Sequence, residues 1–96
     1  MDTNGVINKD GSVDWIRGIN GRDFSIEKVG IGLYRIFHNL GTKKYFCGLG
    51  NEGDYASYAV IEKNENNCLA AFTDMEGKQK DVNFSFSLMW DGDDNF

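Results

Sequence analysis

Proline is missing from all 96 residues, histidine occurs once, cysteine twice, and no apolar run is long enough to cross a membrane. Each absence excludes something. Without proline, edge strands must be protected by charge, by bulges or by contacts between subunits. A single histidine, His38, and two cysteines with neither CxxC nor Cys/His spacing leave no ligand set for structural zinc, so no metal is expected. Cys47 and Cys68 each fall in an expected strand. Reduced, buried thiols are the expectation, with a disulfide the alternative if those strands are neighbours. No stretch has the length of a signal-peptide core, so a soluble product made in the cytoplasm, without membrane insertion, is expected. Positive charge is sparse as well. Ten Lys and Arg stand against fifteen Asp and Glu, a net charge of -5, and no basic cluster exceeds Lys43-Lys44. That balance argues against a phosphate-binding surface and hence against nucleic acid as a partner.

What the chain has is aromatic and β-branched residues at alternating positions. Val82, Phe84, Phe86, Leu88 and Trp90 occupy every second place, with Asn83, Ser85 and Ser87 between them and Met89 as the one apolar residue on the polar side. A helix would scatter those five side chains around its circumference, whereas a strand gathers them on one face. So apolar a face needs a second layer to cover it. Val13 to Arg17, Phe24 to Val29, Leu33 to His38, Lys43 to Leu49, Tyr58 to Lys63 and Cys68 to Thr73 read as further strands. Glycine or asparagine turns separate them, including Gly18-Ile19-Asn20-Gly21, Gly30-Ile31-Gly32 and Asn64-Glu65-Asn66-Asn67. The last of these joins its two strands as a hairpin, and Asn39 to Thr42 is read as the turn from which Lys43 to Leu49 returns along Leu33 to His38. Regular short strands without a helical period predict an all-β protein, a small antiparallel two-layer β-sandwich of about seven strands. Residues 1–12, with turn pairs Asn4-Gly5 and Asp10-Gly11, read as a loose arm or short edge strand, residues 13–90 as the sandwich and residues 91–96 as an acidic tail.

Catalytic chemistry finds little to stand on. His38 has no GxSxG or catalytic-cysteine context and reads as a structural residue at a turn, and carboxylate pairs such as Asp14 with Glu27 carry no informative spacing. Asp91-Gly92-Asp93-Asp94-Asn95 is only the first half of a calcium loop, and Gly30-Ile31-Gly32 lacks the third glycine of a dinucleotide fingerprint, so no cofactor is expected. Flat amphipathic rings are the better candidates. Tyr55, in the polar loop Gly50 to Ser57, and Trp15 are candidates to stack on a ligand such as a sugar ring, with burial in the fold or between subunits as the alternative. Leu33, Phe37 and Phe46 fall on the outward side of their strands and are candidates for a subunit interface.

Three segments carry a resemblance. Gly32-Leu33-Tyr34-Arg35-Ile36-Phe37-His38-Asn39-Leu40-Gly41, Lys43-Lys44-Tyr45-Phe46, and Gly77-Lys78-Gln79-Lys80-Asp81-Val82-Asn83-Phe84-Ser85-Phe86 together resemble the small all-β domain that ends many phage and prophage tail-fibre and head-fibre proteins. Asp10-Gly11-Ser12 and Phe24-Ser25-Ile26-Glu27-Lys28 fit the pieces that precede it in that family. The resemblance implies a β-sandwich that assembles as a homotrimer with other virion proteins, located in the virion and attaching to the host surface or its glycans. It implies no catalysis. The alternative expectation is a carbohydrate-binding or adhesion module of a secreted or cell-surface bacterial protein.

Overall fold

The alternating face of Phe84, Phe86 and Leu88 is buried against a second sheet, and the chain is built around that contact. The computed structural model describes residues 2–18 and 24–90, so the expected acidic tail at 91–96 and residues 19–21 of the first glycine-bearing break lie outside the described residues. Eight strands follow in order: β1 Asp2–Ile7, β2 Val13–Gly18, β3 Ser25–Gly30, β4 Leu33–Phe37, β5 Tyr45–Asn51, β6 Ser57–Lys63, β7 Asn67–Thr73 and β8 Phe84–Trp90. They form two four-stranded antiparallel sheets, sheet A ordered β2-β1-β8-β5 and sheet B ordered β3-β4-β7-β6. The predicted all-β, two-layer antiparallel architecture is the one observed, with eight strands where about seven were expected.

The core joins the two inner faces. From sheet A come Ile7, Tyr45, Phe84, Phe86 and Leu88, and from sheet B come Tyr34, Ile36, Cys68, Ala70 and Phe72. Phe84 is the meeting point, with its ring centroid 4.9 Å from Tyr34 and 4.7 Å from Phe72 across the interlayer space. Such tilted contacts suit the quadrupoles of facing rings. Val82 is fully buried although the ladder of β8 begins only at Phe84, so the period of two runs ahead of the hydrogen bonding.

Residues 2–7 correct the reading of a loose arm or edge strand. They form β1, an inner strand paired with β2 on one side and with β8 on the other. Gly5, which signals a turn in the sequence, is there for close approach: a Cβ at that position would lie 2.7 Å from Cε1 of Phe86 and 2.9 Å from the Trp15 carbonyl oxygen. The expected β4–β5 hairpin is also corrected. β4 pairs with β3 and β7, whereas β5 pairs with β8, so the segment between them crosses from sheet B to sheet A.

That crossing is fastened to the β6–β7 turn. The backbone N–H groups of His38 and Asn39 donate to the Asn66 carbonyl, Gly41 N–H donates to the Glu65 carbonyl, and the Tyr45 hydroxyl donates to the carbonyls of Asn64 and Asn67 at 2.9 and 3.1 Å. Asn39 and Gly41 hold positive φ angles of 55° and 75°, which redirects the chain within a few residues. His38 is buried at 1% exposure, continues the inner face of Tyr34 and Ile36, and accepts the Leu40 N–H at Nδ1 (3.2 Å), the structural role that the sequence suggests.

At the other end of β4, Gly32 and Asp81 meet although they are far apart in sequence. Asp81 Oδ1 accepts the Gly32 N–H at 2.8 Å and pairs with Lys28 Nζ at 3.2 Å. The Gly32 N–H, followed by Lys28 and Tyr34, holds the Asp81 carboxyl below the usual carboxylate range. Two positions 49 residues apart in the chain, Gly32 and Asp81, therefore form one hydrogen-bonded node.

Candidate functional site: the outer face of sheet A

Antiparallel register determines which side chains share the solvent face of sheet A. Trp15, Val6, Ser85 and Gly50 align as one cross-strand row, and Arg17, Asn4, Ser87 and Gly48 as the next. Met89 and Phe46 face each other in the row beyond. The two middle rows rise at the Trp15 edge and fall to bare backbone at the glycine edge. The result is a trough of about 470 Å³ lined by Trp15, Asn4, Val6, Gly48, Glu52, Ser85 and Ser87.

Each part of the trough has a local cause. Gly48 lies beneath the Phe46 ring, where an added Cβ would sit 3.2 Å from Cε2 of Phe46. A Cβ on Gly50 would come within 2.8 Å of the Ser85 hydroxyl. Gly48 keeps the floor low, and Gly50 continues the bare edge of β5 beside it. Trp15 is 44% exposed on edge strand β2, and the Arg17 guanidinium lies 5.7 Å from its ring centroid, which helps to fix the indole. Among the described residues, no hydrogen bond within the chain occupies the side chains of Asn4, Glu52, Ser85 or Ser87. They offer a primary amide, two hydroxyls and a carboxylate next to one flat apolar ring. That set can donate and accept around the rim of a polyhydroxylated ring while the indole covers its C–H face.

The structure separates the candidate residues named from sequence. Trp15 is in the trough. Tyr55, 62% exposed, lines a different hollow with Asp74, Met75, Glu76 and Lys80, and its carbonyl accepts the Lys80 ammonium at 2.9 Å. Leu33 and Phe37 are half-buried on the outer face of sheet B, beside Ala71 and Asn67 of β7, whereas Phe46 is 58% exposed on the outer face of sheet A. These three do not make one patch, because β4 and β5 belong to different sheets. Phe46 instead finds Met89, 47% exposed, as its apolar neighbour. Asp14 and Glu27, raised as a carboxylate pair, lie on β2 and β3 in opposite sheets. The turn at Asn64 to Asn67 is committed to fastening the crossing segment.

Sequence reading passed over Asn4, Gly48, Ser85 and Ser87, whereas Gly50 and Glu52 fall in the polar loop Gly50 to Ser57 that the sequence marks as a display loop. The signal for the floor was present as Gly48-Leu49-Gly50 and as the serines of the polar face, but only pairing of β5 with β8 brings them together. Compared with protein families, with curated proteins and with solved structures, the chain has no significant match in any of the three. The likeness to phage-fibre domains therefore rests on the quoted segments alone.

Proposed function

We propose that this protein is a non-enzymatic adhesion module of a virion surface, of the kind that ends phage fibres, and that it holds a host-surface saccharide along the outer face of sheet A. The observation that carries the reading is the trough itself, with a half-exposed Trp15 beside the uncommitted polar groups of Asn4, Glu52, Ser85 and Ser87 over a glycine floor. A bacterial carbohydrate-binding module would use the same chemistry. Self-association belongs to the reading too. Edge strand β5 (Tyr45–Asn51) carries no charged residue, and the Phe46–Met89 pair beside it is an apolar patch that a second copy would cover. Contact through that edge replaces the interface expected at Leu33 and Phe37.

The test is binding of the full chain to a panel of bacterial surface polysaccharides, read by surface plasmon resonance, with Trp15→Ala and Tyr55→Ala beside the wild type. Loss of the indole should weaken binding about two- to tenfold, since stacking of this kind contributes roughly 0.5–1.5 kcal/mol. Tyr55→Ala should bind as the wild type does. A Trp15→Ala protein with unchanged far-ultraviolet circular dichroism and unchanged affinity would sink the assignment.

A further inference from the structure

Cys47 lies on β5 of sheet A and Cys68 on β7 of sheet B, so the two thiols are not strand neighbours. Yet their sulfurs touch across the core, with Sγ to Sγ at 4.0 Å. Cys68 is fully buried and Cys47 half-buried, which gives the pair one deep and one approachable sulfur. β5 is an edge strand, laddered only to β8, and is thus freer to shift than an inner strand.

We infer that Cys47 and Cys68 form a redox staple, reduced when the chain folds and closed to an intersheet disulfide when it meets a small disulfide oxidant. The inference is independent of what the trough binds. A disulfide brings its sulfurs to about 2 Å, so closure needs roughly 2 Å of approach, to come from rotation about the two Cα–Cβ bonds together with movement of edge strand β5. The step is a double exchange. Cys47, as thiolate, attacks a low-molecular-weight disulfide of the glutathione class, forms a mixed disulfide and releases one thiolate, which takes up a proton. Cys68 then attacks the Cys47 sulfur and expels the second. The two protein thiols together lose two protons and two electrons, and the oxidant leaves as two thiols.

Access sets this order, because Cys47 is the more approachable sulfur. Hydrogen bonding to Cys68 together with burial pushes the Cys47 thiol up, while the hydrogen bond to Cys47 draws the Cys68 thiol down despite its own burial. The first exchange is therefore slow at neutral pH, and the closing attack rests on the proximity of the Cys68 sulfur, 4.0 Å from that of Cys47. Once closed, the bond adds a covalent tie between the two sheets to their packing and to the hydrogen bonds of Tyr34 and Tyr45.

The experiment equilibrates the reduced full-length protein in glutathione buffers from reducing to oxidising, quenches with an alkylating reagent under denaturing conditions, and reads intact mass and Tm. The expected product is a monomer lighter by two hydrogens, without alkyl groups, and with a higher Tm than the reduced form. Cys47→Ala and Cys68→Ala should give no such species and no gain in Tm. Two alkylated thiols in buffers that fully oxidise the urea-unfolded chain would overturn the inference. So would an accumulated glutathione adduct, an intermolecular dimer as the main product, or an oxidised form that melts below the reduced one.

Discussion

Acidification should test the core at His38. The imidazole is 1% exposed, its Nδ1 accepts the Leu40 N–H, its ring centroid is 4.4 Å from that of Tyr45, and Nε2 has no hydrogen-bond partner. Accepting at Nδ1 places the single ring proton on Nε2. A second proton would have to enter at Nδ1, opposite an N–H donor and away from water. Burial is the main cause that holds the group at about 4 against an ordinary 6.5, with only the nearby Asn67 backbone pulling the other way. The sign follows from linkage. Between pH 6.5 and 4 the unfolded chain binds a proton that the folded chain refuses, so stability falls as pH falls through that window. A displacement of about 2.5 pH units corresponds to about 3 kcal/mol, a large share of the roughly 5–14 kcal/mol expected for a domain of this size. Carboxylates held low by their partners, such as Asp81 by the Gly32 N–H and Glu62 by Arg35, add further loss only as pH drops below the unfolded carboxylate range near 4. The two windows separate the causes. Urea unfolding at half-unit steps from pH 7 to 4 should show the wild type losing about 3 kcal/mol, and His38→Asn, which keeps an acceptor for Leu40, should be nearly flat above pH 4.5. A wild type that is flat between pH 6.5 and 4.5, or an asparagine variant with the same slope, would refute the reasoning.

Two other perturbations bear on the fold. Phe84→Ala removes the ring that Tyr34 and Phe72 pack against across the layers, and equilibrium denaturation should show a loss of about 3–5 kcal/mol. Gly32→Ala would place a Cβ 2.5 Å from the Phe72 carbonyl oxygen at a φ of +69°, so both sterics and backbone conformation oppose it. A thermal melt should show destabilisation of at least about 1–2 kcal/mol, with the Asp81 node lost, and an unchanged Tm would contradict the geometry.

The sequence by itself determined the class of the fold and the inner face of most strands, because a period of two is a local property. Phe84, Phe86 and Leu88 inside, Met89 outside, Tyr34 and Ile36 inside, and the β6–β7 hairpin all follow from spacing and turn residues, and all are observed. Trp15 was named for its flat amphipathic ring, and the structure leaves it half-exposed on edge strand β2. What only the tertiary structure decided is which strands meet. Asn4-Gly5 has the chemistry of a turn, and it took the Phe86 ring lying against β1 to make that glycine part of an inner strand. Leu33, Phe37 and Phe46 look like one outward patch until β4 and β5 part into different sheets. Asn4 and Glu52 join Ser85, Ser87 and the two glycines only through the order β2-β1-β8-β5, and Cys47 meets Cys68 only because the sheets stack. Strand order and sheet facing are set by contacts distant in sequence, fixed by how large and small side chains fit between two layers, and alternation along one strand carries no record of them.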